Sequence, residues 1–247
     1  MGGSRRAPDL RGAPAMSLIQ SQDHDDGVRI LRIDNGKPNA VSTAMSTELI
    51  AALETAEKDT NAVIITGRPG MFSAGFDLGT MSEGLQAAAE MVENGGRLAL
   101  AIYKRPKPIV GAISGHAVAM GLFMAMVCDY RIGAAGKFKY QANETAIGMT
   151  LPDFAIQFSR AALSKRHFDR VIVQAEQYDP EGARDCGMID ELVEPDALEA
   201  RALEVATHFA TNLKQPAFRN NKRLSHGPTA TSIAEKLEEN VRKAMGA

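Results

Sequence analysis

The amino-acid sequence predicts an α/β protein whose last third is mostly helical. Short apolar strand patterns alternate with helix-spaced patterns through the first part of the chain, and helix spacing dominates from Pro152 onward. Strands that alternate with helices form βα units, which build a largely parallel sheet. The 247 residues are ample for one large core, and no long linker interrupts them. We therefore expect one domain with a helical C-terminal extension.

The predicted strands come mainly from the first two-thirds of the chain. They lie at 17–33 (two strands around the turn Asp25-Asp26-Gly27), 62–67, 107–114, 129–140 (two short strands) and 188–195. In the strand ending at residue 33, alternation places Val28, Ile30 or Leu31, and Ile33 inward. Residues 67–79, GRPGMFSAGFDLG, are expected to form a loop because glycine and proline punctuate them.

Helices are predicted wherever apolar residues recur at helical spacing. They lie at 42–59, 84–103, 119–127, 152–175, 180–186, 196–213 and 229–245. The helix at 42–59 places four apolar residues on one face: Met45, Leu49, Leu53 and Ala56. The pair Gly95-Gly96 lowers the helix propensity of the segment at 84–103. The helix at 119–127 is apolar on most sides, which predicts that it is buried.

Composition and charge exclude several classes of function. The net charge is −2 and the lysines and arginines are scattered, which argues against nucleic acid as the main partner. Cys128 and Cys186 belong to no Cys-x-x-Cys or Cys/His cluster, so we expect no metal site and a reducing compartment, the cytoplasm. No apolar run reaches the length of a membrane span, and the N-terminus lacks the apolar core of a secretory signal. Residues 1–16, rich in Gly, Pro, Arg and Ala, are predicted to be a disordered extension.

Two segments share one design, in which a buried strand runs into a loop of small residues and then a helix. They are AVIITGRPGMFSAGFDL and PIVGAISGHAVAMGLFMAMVCDYRIG. Such loops bind ligands in α/β proteins because backbone N–H groups point outward at helix N-termini. Two of them could aim one N–H each at the same oxygen, forming an oxyanion hole. Taken alone the pattern is weak, because glycine loops after strands are usually only turns.

Three motifs, in this order and spacing, resemble the crotonase superfamily of acyl-CoA enzymes. They are FSAGFDL at 72–78, GHAVAMGLFMAMVCDYRIG at 115–133 and NETAIGM at 143–149, supported by NGKPNAVS at 35–42 and DPEGARDCGMIDELV at 179–193. The resemblance implies a spiral of ββα units over residues 17–195. It also implies a C-terminal helical region, 196–247, that packs on the core and in a homotrimer or a dimer of trimers.

The same resemblance assigns binding roles to particular residues. The thioester oxygen would lie between the backbone N–H groups of Phe76 and Met120. The family usually has glycine at the second place, so a required positive φ would strain Met120. Coenzyme A enters as part of the substrate, with no separate cofactor. The residues implied in holding the substrate are Asn39, Ala40, Ala74, Gly75, Asp77, Leu78, Gly121 and Asn143.

Glu144 is the implied catalytic base. Hydratases of this superfamily carry two glutamates across the substrate, and here Phe123 stands at the first place while Glu144 keeps the second. Moving a double bond from C3 to C2 needs only one base, whereas adding water is normally shared between two carboxylates. The Asn143-Glu144 pair also resembles the Δ3-Δ2-enoyl-CoA isomerase branch. From the residues alone, a glutamate at a helix start is more often a dipole partner or a capping residue.

Other candidates have simpler structural explanations. His116 is expected to pack, Asp77 to organise its loop, Asp153 to favour a helix first turn, and Lys222 and Arg223 to be solvated or to meet coenzyme A phosphates. Isomerisation is therefore the leading prediction. Hydration or another enolate reaction, and a catalytically silent acyl-CoA binder, stay open, while RNA binding is disfavoured by the scattered charge.

Overall fold

Two parallel-stranded sheets organise the protein, which we describe from a computed structural model that covers residues 17–36 and 38–246. The predicted disordered extension at 1–16 lies outside the described residues. The first sheet has six strands in the order β1-β2-β3-β5-β7-β9, and the second has three in the order β4-β6-β8. The strands are β1 Ile19–His24, β2 Val28–Ile33, β3 Ala62–Thr66, β4 Gly70–Ser73, β5 Ile109–Ile113, β6 Gly115–Val118, β7 Tyr130–Ala134, β8 Tyr140–Gln141 and β9 Glu191–Val193.

The helices lie between and after these strands. They are α1 Thr43–Asp59, α2 Leu78–Ser82, α3 Leu85–Tyr103, α4 Met120–Met126, α5 Asp153–Ala162, α6 Phe168–Ile172, α7 Pro180–Cys186, α8 Leu198–Asn212 and α9 Gln215–Met245. Among the pairings between these strands, only that of β1 with β2 is antiparallel and the others are parallel. The largely parallel sheet predicted from the sequence is therefore confirmed.

A repeated ββα unit explains why there are two sheets. Each turn of the chain adds a strand to the six-stranded sheet, then a strand to the three-stranded sheet, and then crosses over through a helix: β3-β4-α2-α3, β5-β6-α4 and β7-β8-α5. Parallel strands need such crossovers because a tight hairpin cannot join them. The spiral of ββα units expected from the resemblance is confirmed.

The core fills both faces of the larger sheet. One cluster joins the sheet to α1, α3, α4 and α5, and it contains the predicted stripe of α1, Met45, Leu49, Leu53 and Ala56. A second cluster lies between the opposite face and α8. Because both faces are covered, Ile30 and Leu31 are both buried, although strict alternation had placed only one of them inward.

Three predictions about helices and loops were wrong. Residues 67–79 contain β4 and the start of α2, and the helix expected at 152–175 is two helices, α5 and α6. The last helix begins at Gln215 rather than at 229 and continues through Pro228. An internal proline costs a helix about 3 kcal/mol. The packing of α9 along α3 and α5 offsets that cost here.

Candidate active site

The three-stranded sheet brings the predicted site segments to one edge. β6 pairs in parallel with β4 on one side and with β8 on the other. Phe76 follows β4, Met120 follows β6 and Glu144 follows β8, so all three leave the carboxyl ends of neighbouring strands. Adjacent strands lie about 4.8 Å apart. The carboxyl edge of a parallel sheet is where ligands bind in open α/β folds.

The first loop leaves the Phe76 N–H free to meet a ligand. Val41 N donates to Gly75 O at 2.8 Å and Asp77 N donates to Val41 O at 3.2 Å, which makes a parallel bridge between Val41 and Phe76. In that bridge the N–H of Phe76 points away from Val41. Within the described residues it has no acceptor. The Ser73 hydroxyl anchors this loop by donating a hydrogen bond to Asn39 O at 2.7 Å.

The second loop frees the N–H of Met120. Ala119 N donates to Gln141 O at 2.8 Å, and the Ala119 carbonyl then accepts from Leu122 N at 2.9 Å as α4 begins. Met120 is the first residue of α4, and its N–H meets no acceptor in the described part of the chain. The expected strain at Met120 was wrong, because the positive φ of 50° belongs to Ala119. The reversal of the chain is thus completed one residue earlier, and Met120 keeps a helical backbone.

Close contacts show that the two loops touch. A Cβ added at Gly75, whose φ is +95°, would lie 2.7 Å from Ala119 Cβ and 3.4 Å from Met120 N. A Cβ added at Gly95 of α3 would lie 2.6 Å from Phe76 Cε1 and 3.3 Å from the Met120 sulfur. The loops therefore approach each other as an oxyanion hole requires, and only glycine fits at both contacts.

Glu144 is a buried carboxylate at this edge. Its side chain is 7% exposed, and Oε2 has no hydrogen-bond partner in the described structure. Burial raises the pKa of Glu144 to about 7, partly opposed by a hydrogen bond from its own backbone. The following 3-10 turn, Thr145–Ile147, receives no capping hydrogen bond from this side chain. The carboxylate can therefore gain or lose a proton near neutral pH.

The neighbours of Glu144 differ in how they can meet a ligand. Asn143 Oδ1 is buried and, like Glu144 Oε2, has no partner among the described residues. Phe123 lies on α4 one turn after Met120 and is 2% exposed within the core, so an aromatic ring occupies the position to which the resemblance assigns a second carboxylate. Gly121 lets α4 approach β4, since a Cβ there would lie 2.7 Å from Ser73 Cβ.

The residues implied at the coenzyme end differ in burial and in their hydrogen bonds. Asn39 is fully buried, and its amide donates to Ile33 O at 2.9 Å and Met71 O at 3.2 Å, so its side chain holds the fold together. Ala40 is also buried, and Ala74 donates its N–H to Pro38 O at 3.0 Å. Leu78 is 79% exposed at the start of α2 and presents an apolar side chain beside the first loop.

The remaining candidates are occupied by structural contacts. Asp77 caps α2 by accepting from Thr80 N at 2.9 Å, as expected for a loop organiser. His116 Nδ1 accepts from Lys139 N at 3.0 Å. Asp153 bonds Gln157 within α5, and Lys222 pairs with Asp129 at 2.7 Å. No group of three or more potential metal ligands occurs within residues 17–36 and 38–246.

Sequence reasoning noticed Ser73, Ala119 and Gly95 as small residues but did not assign their roles in this geometry. Ser73 ties the first loop to Asn39, Ala119 takes the strained conformation, and Gly95 makes room for Phe76 and Met120. The pair Gly95-Gly96 is visible in the sequence as a weak point of a helix. Its purpose becomes visible only when the neighbouring loop is placed against α3.

Comparisons with known proteins agree with this architecture. The protein-family profile described as "Enoyl-CoA hydratase/isomerase" matches residues 23–243. Enoyl-CoA delta isomerase 1, mitochondrial, of Rattus norvegicus is 28% identical over 244 residues, covering 97% of this chain and 82% of the relative. The probable enoyl-CoA hydratase echA17 of Mycobacterium avium is 30% identical over 195 residues, covering 78% of this chain and 76% of the relative.

Solved structures show the same fold. The crystal structure of human mitochondrial delta3-delta2-enoyl-CoA isomerase superposes with a TM-score of 0.88 at 26% identity, covering 93% of this chain and 91% of that one. Among the residues that the structure describes, no helix is long and apolar enough to cross a membrane. With its profile match, its parallel-stranded spiral and its paired loops, this chain belongs to the enoyl-CoA hydratase/isomerase family.

Proposed function

We propose that the protein moves a double bond from C3 to C2 of an enoyl-CoA, with Glu144 as the single base. One observation carries the proposal: an unpartnered, buried carboxylate whose pKa is raised to about 7 follows the strand beside the two loops with free N–H groups. Such a pKa suits a general base at neutral pH, because both the ionised and the protonated form are populated. Coenzyme A belongs to the substrate, and no further cofactor is needed.

The thioester oxygen would accept hydrogen bonds from the N–H groups of Phe76 and Met120. Ionised Glu144 takes a proton from C2, and the electron pair passes through the conjugated system to the thioester oxygen, giving a dienolate. The two N–H donors stabilise that negative charge where it develops. Protonated Glu144 then delivers the proton to C4, and the double bond comes to rest between C2 and C3. Atoms balance, since no water enters and no group leaves.

The aromatic ring at Phe123 favours this reaction over hydration. Water addition calls for a second group that shares proton transfer, and α4 offers an apolar side chain at that place. The relatives include proteins named as isomerases and as hydratases, so hydration is the alternative that an experiment must distinguish. A homotrimer or dimer of trimers and a cytoplasmic location stay predictions, the first testable by light scattering.

The test is turnover of a 3-enoyl-CoA by the purified protein, followed by ultraviolet absorbance of the conjugated thioester and by mass spectrometry. We expect the 2-enoyl isomer with unchanged mass, and a loss of about 100-fold to 10,000-fold in kcat for Glu144→Gln. Glu90→Gln, an exposed glutamate on α3, is the matched control and should keep full activity.

Isotope labelling separates the single-base route from its rivals. A substrate deuterated at C2 should carry part of its label to C4, because one shielded carboxyl group removes and returns the proton. With a 2-enoyl-CoA as the substrate, a product heavier by one water, together with no turnover of the 3-enoyl-CoA, would identify a hydratase. Binding of both thioesters with turnover of neither would identify a silent binder.

A further inference from the structure

A basic cavity lies where α9 passes the C-terminal end of α3. Its volume is about 410 Å³, and five lysine or arginine side chains and one histidine line it: Lys104, Arg105, Arg219, Lys222, Arg223 and His226. No aspartate or glutamate is among the residues that line it within the described chain. Cavities of roughly 300–1,000 Å³ are the usual size for small-molecule sites.

Three of these cations have no acid to balance them. Arg105 pairs with Glu57 at 2.6 Å and Lys222 pairs with Asp129 at 2.7 Å. Lys104, Arg219 and Arg223 form no ion pair with any residue that the structure describes. The C-terminus of α3 contributes about half a negative charge. Three full positive charges outweigh it inside this cavity, which therefore favours anions. The acidic side chains nearby line the adjoining cavity that shares Lys104 and Arg105: Glu54, Glu57, Glu235, Glu238 and Glu239.

One of the lining residues, Arg105, has a buried nitrogen without a partner in the described part of the chain. Arg105 is 9% exposed, and its Nε has no hydrogen-bond acceptor among the described residues, although its Nη1 reaches Glu57. Leaving a buried charged donor unsatisfied is costly, and an anion held by the neighbouring exposed cations would offset part of the positive charge that this guanidinium adds to the cavity wall. His226 is held nearby, with Nδ1 donating to the Tyr103 carbonyl at 3.0 Å and its ring stacked on Tyr103 at 4.1 Å.

The cavity is separate from the candidate active site. Asp129, the partner of Lys222, precedes β7 and accepts from Ile109 N, the first residue of β5, at 2.8 Å. The cavity therefore lies at the amino ends of these strands. Phe76, Met120 and Glu144 follow the carboxyl ends of strands in the ββα spiral.

We propose that this cavity binds the diphosphate group of a small molecule. The three unbalanced cations are sufficient to neutralise a diphosphate, and the guanidinium groups of Arg219 and Arg223 can each bind two phosphate oxygens. The volume exceeds what a single phosphate fills. A free nucleoside diphosphate and a coenzyme A molecule both carry this group.

Calorimetric titration of the full-length protein with inorganic pyrophosphate tests the proposal. Arg219 and Arg223 are exposed on α9, so the double variant Arg219→Gln/Arg223→Gln should fold. We expect wild type to bind and the double variant to bind at least about tenfold more weakly, because each charge-assisted contact is worth more than a neutral one. The control Lys165→Gln/Arg166→Gln removes the same charge from exposed positions elsewhere and should bind like wild type.

Further arms identify the source of the diphosphate and the rival occupant. Loss of ADP binding in the Arg219/Arg223 variant would indicate a nucleotide. Loss of one of two coenzyme A sites, with ADP binding absent in wild type, would indicate the coenzyme. Glu144→Gln should leave pyrophosphate binding unchanged. No binding to wild type, or equal weakening in both double variants, would overturn the proposal. So would a change of oligomeric mass in the Arg219/Arg223 variant without pyrophosphate binding, since acidic groups of a second copy would then fill the cavity.

Discussion

Replacing Glu144 by glutamine should make the protein more stable at alkaline pH while it abolishes the proposed reaction. Burial raises the pKa of this carboxyl from 4.5 to about 7, and its side chain is only 7% exposed. Folding therefore favours the protonated form, and ionisation of the folded protein is costly. Glutamine has nearly the same shape and carries no charge at any pH.

The size of the effect follows from the two pKa values. Each tenfold change in acid dissociation corresponds to about 1.36 kcal/mol, so ionised Glu144 costs the folded state about 3 kcal/mol. Below pH 4.5 the carboxyl is protonated in both the folded and unfolded states, and the cost is absent. Between 4.5 and 7 the unfolded chain has released its proton while the folded protein keeps it, so stability falls as pH rises. Above pH 7 the full cost is present.

Urea unfolding of wild type and Glu144→Gln at a series of pH values measures this difference. The two free energies of unfolding should agree near the acid end and diverge to about 3 kcal/mol at pH 8, with the variant the more stable. For a chain of this size that difference is worth about 6–12 °C in Tm. Glu90→Gln, which removes an exposed carboxylate, should follow wild type throughout.

One result would refute the reasoning. If Glu144→Gln is no more stable than wild type at pH 8, the carboxylate is solvated or paired in solution, its pKa is ordinary, and it is not a base held in an apolar site. A divergence that also appears in Glu90→Gln would assign the effect to net charge instead of burial.

Three further predictions concern the same framework. The kcat for a 3-enoyl-CoA should rise with pH through about 7 and then level off, as the ionised base accumulates, and a flat profile would exclude Glu144 as the base. Ala119→Gly should raise the free energy of unfolding by about 1 kcal/mol, because glycine adopts a φ of 50° without strain. Gly75→Ala should lower both stability and activity, because its φ is +95° and its Cβ would clash with Ala119. Thermal melting measures the stability of both variants, and the 3-enoyl-CoA assay measures activity. Lys222→Met should cost up to about 3 kcal/mol because it leaves the partly buried Asp129 carboxylate without its cation, with only Ile109 N among the described residues still donating to it. Adding Asp129→Asn should recover much of the loss, and no recovery would contradict the ion-pair account.

Local patterns in the sequence were sufficient for the longer elements. The stripe in α1, the bounds of α7 and the burial of α4 could all be read from apolar spacing, and the structure adds that Asp179 caps α7. These features depend on neighbours within one or two turns, so the sequence carries their signal directly. The motif around Glu144 likewise identified a single carboxylate, and the structure shows that carboxylate buried.

The tertiary structure alone decided how the site is assembled. β4 and β6 are four residues each and contain glycine, so their strand character comes from pairing with each other and with β8, which are distant in sequence. The strain at Ala119, the space at Gly95 and the free Oε2 of Glu144 depend on which loop packs against which helix. Glu144 acquires a raised pKa because residues far along the chain exclude water from it, and that exclusion exists only once the spiral has closed.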